Sequence, residues 1–160
     1  MEKILCVLGR ESQTSVSFVV SGVVMIGVVV VTHGRLAAEL LNATEMIVGE
    51  LPQCAAVSIG WHDDVNDARG QIERAVERVG GSSGVLILTD MFGGTPSNLG
   101  ISMLQDNKIE VITGVNLPML IKAAGLRDAS DLLAVAREMR EHARTAICVA
   151  SDLMRANAKA

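Results

Sequence analysis

The run SVSFVVSGVVMIGVVVVT, residues 15–32, decides the fold. Uncharged and mostly apolar, it is close to the length of a membrane span and admits two readings. In the first it crosses a bilayer. In the second, Val28 to Val31 form the centre of a buried parallel strand, covered by helices on both faces, where β-branched side chains need not alternate with polar ones. The strand reading is preferred. Downstream of Met25 the chain alternates short β-branched runs with longer stretches whose apolar residues recur three and four apart, the pattern of an α/β sheet. A signal peptide is disfavoured too, because Glu2 and Glu11 offset Lys3 and Arg10 around the run and no small-x-small cleavage site precedes a polar start. Met25 heads the strand, so residues 1–24 read as an upstream extension, an appended tag or a misassigned start.

Ile26 to Thr32 is then the first strand. Arg35 to Val48 reads as a helix with Leu36, Leu40, Ala43 and Ile47 on its inner face and Gly49 as its stop. A second strand lies at Ala55 to Ile59. After the polar turn Trp61 to Asp64, with Asp64 and Asp67 as a helix-start pair, the stripe Val65, Ala68, Ile72, Ala75, Val76 and Val79 predicts a second helix. Val85 to Thr89 is the third strand and Thr95 to about Leu104 a short helix, with Thr95 as cap and Pro96 in its first turn. Glu110 to Thr113 is the fourth strand. One helix follows from near Pro118 and another, capped by Ser130, runs to about His142. The short apolar segment Thr145 to Val149 can add an edge strand before a polar tail at 151–160. The fold class is a three-layer α/β/α domain on a mainly parallel four-stranded sheet.

Composition narrows the function. At 160 residues the chain is one domain, and 49% hydrophobic against 20% charged residues is a folded composition. Net charge −4 leaves no basic surplus for phosphate backbones, and two Phe, one Trp and no Tyr offer little to stack bases on, so nucleic acid is excluded as a partner. Cys6, Cys54 and Cys148 are scattered, suggesting neither a disulfide framework nor a thiolate zinc site, and fit a reducing cytoplasm. There is no G-x-x-x-x-G-K-[ST] loop and no G-x-G-x-x-G fingerprint, so no nucleotide is assigned.

Open parallel sheets bind ligands just beyond the carboxyl ends of their strands, where the winding reverses. Two segments fall there, Thr32-His33-Gly34 and Asp90-Met91-Phe92-Gly93-Gly94-Thr95-Pro96-Ser97-Asn98. His33 opens onto a helix start, a place that suits an anion, and a neutral imidazole nitrogen is a nucleophile. In an order 2-1-3-4 the first and third strands are neighbours, so Asp90 can reach His33 and fix its tautomer, leaving the other ring nitrogen free. Gly93 and Gly94 permit close backbone approach, and the Thr95 hydroxyl can donate to a phosphoryl oxygen. His62, beside Trp61, Asp63, Asp64 and Asp67, reads as a solvated turn. No metal is assigned. His142 belongs to a charged outer face with Arg140, Glu141 and Arg144. Asn116 and Pro118 are explained by a tight turn and a helix start.

VVVVTHG at 28–34, TDMFGGTPSN at 89–98 and GVNLPML at 114–120 together resemble the IIA component of the mannose/fructose/sorbose family of the bacterial phosphoenolpyruvate-dependent sugar phosphotransferase system. The resemblance covers roughly residues 25–150, which bound the domain. It implies the strand order 2-1-3-4, a homodimer, and a cytoplasmic phosphocarrier that takes a phosphoryl group from HPr and passes it to a separate IIB component, meeting the membrane only through a permease. It also implies that His33 is the phosphorylated residue, Asp90 its orienter, and Thr95, Gly94 and Gly34 the phosphoryl surroundings. Phe92 stands where some members carry Trp; it keeps an apolar wall but loses an indole N–H. Two alternatives are a regulatory module whose partner affinity follows the phosphorylation of His33, and the phosphoryl-donor subunit of a dihydroxyacetone kinase.

Overall fold

The computed structural model describes residues 25–80, 82–126 and 128–157. The upstream extension expected at 1–24 lies outside the described residues. Among the described residues no helix is long and apolar enough to cross a membrane. What the 15–32 run contributes here is β1 (Gly27–His33), buried along its whole length until His33 emerges at its end.

The chain then runs α1 (Leu36–Val48), β2 (Cys54–Ile59), α2 (Val65–Val79), β3 (Val85–Thr89), α3 (Thr95–Ile101), β4 (Ile109–Thr113), α4 (Leu117–Ala124), α5 (Leu132–Thr145) and α6 (Ala150–Asn157). The four strands are parallel in the order β2-β1-β3-β4, the three-layer arrangement read from the sequence. Strand β1 is central, with His33 opposite Ile59 of β2 and Val31 opposite Thr89 of β3. Alternate residues feed two cores. Val28, Val30, Leu86 and Leu88 pack with Met119, Val135 and Met139 of α4 and α5 on one face. Val29, Val31, Val57 and Ile87 pack with Ala68, Ile72, Val79 and Leu99 of α2 and α3 on the other. Burial on both faces is why β1 carries no polar residue before Thr32.

Several expectations are corrected. The inner face of α1 is Ala37, Leu41 and Thr44, whereas Leu36 and Ile47 are exposed. Thr32 Oγ1 accepts the Ala37 N–H at 2.7 Å and so fixes which side of the helix meets the sheet. Thr44 tolerates full burial because its hydroxyl donates to the Leu40 carbonyl at 2.7 Å. Asp131, not Ser130, caps α5, its Oδ1 accepting the Ala134 N–H at 2.9 Å. Thr95 to Leu104 is shorter than expected, since α3 stops at Ile101 and gives way to a turn. Finally, Thr145–Val149 forms no edge strand. The Ala146 and Ile147 N–H groups donate back to the His142 and Arg144 carbonyls at 3.2 and 3.3 Å, continuing the turn of α5 and using groups a ladder would need. Most of the expected polar tail is helical, as α6.

Candidate active site

The carboxyl ends of β1 and β3 meet at the switch point of the sheet. Leaving β1, the chain turns at Gly34 with φ +55°, a conformation other residues rarely adopt, and enters α1. The Gly34 N–H donates to the Ile59 carbonyl at 2.8 Å, which ties this corner to β2. That N–H is therefore spent on the sheet, and what Gly34 offers the site is its turn.

His33 and Asp90, 57 positions apart in sequence, are brought into direct contact. Asp90 Oδ2 accepts both the backbone N–H of His33 at 2.9 Å and its ring Nδ1–H at 2.8 Å, while Oδ1 accepts the Met91 N–H at 2.9 Å. The His33 side chain is 48% exposed and that of Asp90 14%. Burial by itself pushes the Asp90 carboxyl up, but the two N–H groups of His33, its charge when protonated and the Met91 N–H outweigh burial and hold it below its usual value. An ionised carboxylate only accepts hydrogen bonds, so Nδ1 carries the proton and, in the neutral ring, Nε2 keeps its lone pair.

Beyond Nε2 lies the glycine loop. A Cβ on Gly94 would stand 2.7 Å from His33 Cε1 and 3.2 Å from Nε2, so only a glycine lets the backbone come this close. The loop is pinned from below by Ser97, fully buried, whose hydroxyl accepts the Gly93 N–H at 2.9 Å and donates to the Gly94 carbonyl at 3.0 Å. Gly94 rather than Thr95 is the N-cap of α3, and Thr95 is its first residue, exposed, with Pro96 next. Phe92 is 75% exposed on the rim. Gly94→Ala forces the His33 ring to shift by several tenths of an ångström, and a displacement of ~1 Å at a reacting group costs on the order of 10²-fold in rate. The expected result is a fall of between about tenfold and 10²-fold in the rate at which His33 Nε2 captures an electrophile, read by quench-flow, with the melting temperature little changed.

The remaining expected residues stay apart from this pair. Asp63 accepts the Gly60 N–H and Asp64 caps α2, which leaves His62 in an exposed turn. Asn116 caps α4 by accepting the Met119 N–H and donates to the Ala143 carbonyl, both structural tasks. Glu141 pairs with Arg140 and Arg144 beside the exposed His142. The sequence reading gives Thr32 no role of its own, whereas Ser97, which with Asn98 completes the motif, is read as shaping the loop, and its two hydrogen bonds to Gly93 and Gly94 do so.

Fold and site define a doubly wound α/β protein with a carboxylate-oriented histidine at its switch point. The chain belongs to the family of PTS system fructose IIA components, whose profile matches residues 27–140. It is 37% identical over 109 residues to the mannose-specific EIIAB component of Escherichia coli (strain K12), a match covering 64% of this chain and 32% of that protein. The chain thus spans about a third of that relative's length. It is 29% identical over 136 residues to the sorbose-specific EIIA component of Lacticaseibacillus casei, covering 82% of this chain and 96% of that one. The crystal structure of phosphotransferase system component EIIA from Streptococcus agalactiae superposes with a TM-score of 0.73 at 27% identity, over 80% of this chain and 99% of that chain.

Proposed function

We propose that this protein is a cytoplasmic phosphocarrier of the sugar phosphotransferase system, in which His33 Nε2 accepts a phosphoryl group from phospho-HPr and passes it to a separate IIB component. Membership of the IIA family supports the system, and the hydrogen bond from His33 Nδ1 to Asp90 supports the residue. That bond carries the reading, because it leaves one nucleophilic nitrogen at an open rim. Nε2 attacks phosphorus, the bond from phosphorus to the donor breaks, and the electron pair leaves with the donor. Asp90 offsets the positive charge that gathers on the ring; Gly94 allows the approach, and the hydroxyl and backbone N–H of Thr95, which precedes Pro96 at the start of α3, supply donors to the phosphoryl oxygens. Phe92 forms one wall. Incubating the protein with phosphoenolpyruvate, enzyme I and HPr is expected to place an acid-labile, alkali-stable label on it; no label overturns the proposal.

The proposal includes a homodimer. Strand β4 is an edge of the sheet, and a groove of about 310 Å³ runs between it and α5, lined by Val111, Thr113, Leu133 and Arg137 among others. Ile147 and Val149, 78% and 63% exposed, stand just past α5 and give a second copy apolar side chains to bury. Ile147→Asp with Val149→Asp is expected to turn a dimer into a monomer in analytical ultracentrifugation without loss of helix content. A wild type that sediments as a monomer at micromolar concentration overturns this part.

A further inference from the structure

The sheet ends at β4 on one side and at β2 on the other. Strand β2, Cys54–Ile59, reads CAAVSI. Exposed edges are ordinarily guarded against further pairing by a lysine, a proline or a bulge, yet β2 carries no charge and no proline and pairs with β1 in unbroken register. That pairing fixes which backbone groups face outward. The Gln53 carbonyl accepts the Val28 N–H at 3.0 Å and the Ile59 carbonyl accepts the Gly34 N–H at 2.8 Å, so the odd-numbered residues of β2 turn toward β1. With a period of two, Ala56 and Ser58 turn their N–H and C=O groups outward, along an edge that no other described strand pairs.

A groove of about 490 Å³ runs along this edge. Ala38 of α1 forms one wall, small enough to let another backbone come close, and Gln71, Arg74 and Arg78 of α2 form the other. The lining holds two arginines and no acid. Arg69 is paired with Glu73 at 2.9 Å, whereas no described carboxylate lies within ion-pair distance of Arg74 or Arg78. Four positions on a helix rise about 6 Å and two on a strand about 6.6 Å, so acidic side chains two apart on an added strand meet both arginines. Charge also decides against a second copy. Two β2 edges paired about a two-fold axis would set the α2 helices of both copies side by side on one face, arginine stripe against arginine stripe.

We infer that the β2 edge is a docking site for an extended acidic segment of a partner protein. The segment adds as a fifth strand, exchanges main-chain hydrogen bonds with Ala56 and Ser58, and sets carboxylates at alternate positions against Arg74 and Arg78. The side chains between those carboxylates face Ala38 and are small or apolar. Main-chain bonds supply the affinity, and the two arginines choose which segment binds. No residue of this edge is part of the His33–Asp90 pair, so the inference stands apart from the phosphocarrier reading.

The probe is an end-capped octapeptide of alternating glutamate and valine, labelled with fluorescein and read by anisotropy against the full chain. Saturable binding in the micromolar range is expected, with the corresponding lysine–valine peptide weaker by about tenfold or more. Arg74→Glu with Arg78→Glu, both on exposed side chains, is expected to reverse that order while circular dichroism stays unchanged. N-methylation of one alternate set of peptide residues is expected to abolish binding and N-methylation of the other set to leave it, since one set alone turns its N–H groups to β2. No saturable binding at millimolar peptide, an order that the double variant leaves as it was, or equal loss from both methylated sets overturns the inference. A dimer that persists in the Ile147→Asp, Val149→Asp variant and is dispersed by the peptide gives the edge to a second copy and overturns it too. His33→Ala is expected to bind the peptide as the wild type does, so a failure of docking leaves the phosphohistidine reading intact, and a failure to label His33 leaves the docking intact.

Discussion

His33→Ala is expected to abolish labelling by phosphoenolpyruvate, enzyme I and HPr while leaving the fold in place. The fold survives because the side chain is half in water and its ring has one hydrogen-bond partner shown, Asp90, which keeps other donors. Asp90 Oδ2 still accepts the residue 33 backbone N–H at 2.9 Å and Oδ1 still accepts the Met91 N–H, so the carboxylate is not stranded. The cost to stability is expected to stay within about 1 kcal/mol, as for a surface hydrogen bond. Labelling has no such reserve. Neither His62 nor His142 can substitute, since one lies in the turn after β2 and the other in α5, neither with the Asp90 carboxylate. His33→Gln extends the test: an amide can occupy the space and hydrogen-bond, yet it offers no ring nitrogen to hold phosphorus. Gel-resolved label at background in both variants, with wild-type circular dichroism, is the expected result. Label retained in either one removes His33 from the mechanism.

Much of this site was legible because its residues sit where the chain changes period. A β-branched run that stops at Thr32-His33-Gly34, and another that stops at Thr89-Asp90, locate two strand ends from local pattern alone. The pairing of those ends is a long-range fact, and the sequence carried it only through resemblance to a family. The errors have a common source. On α1 two neighbouring apolar faces compete, and the buried one is the face whose first residue, Ala37, donates its N–H to a side-chain hydroxyl on β1, a long-range contact that no helical periodicity encodes. At Thr145–Val149 the composition suits a strand, but the preceding helix captures the backbone donors first.

Asp90→Asn is expected to slow labelling of His33 on the order of 10⁴-fold, the scale of losing the tautomer that a buried carboxylate enforces on a histidine. The geometry explains why so small a change weighs so much. Three N–H groups converge on the two oxygens of Asp90, from the His33 backbone, the His33 ring and Met91. Asparagine has one oxygen. If it faces His33, the amide NH2 is set against the Met91 N–H, donor to donor; if it faces Met91, the NH2 donates to Nδ1 and drives the ring proton to Nε2, the nitrogen that must attack. Either orientation costs stability or chemistry, and the second costs both. A pH series separates the two parts. Because its partners hold the folded-state pKa of Asp90 below the ordinary value of about 3.9, the stabilisation from its ionised form is complete above that value and is lost as pH falls through the lowered one. Wild type should therefore be the more stable protein at neutral pH, and the gap between wild type and Asp90→Asn in urea melts should close only at acid pH. A gap that stays constant down to the lowest pH at which the protein folds would show that the carboxylate charge does not hold the site together, and the rate loss would then need another cause.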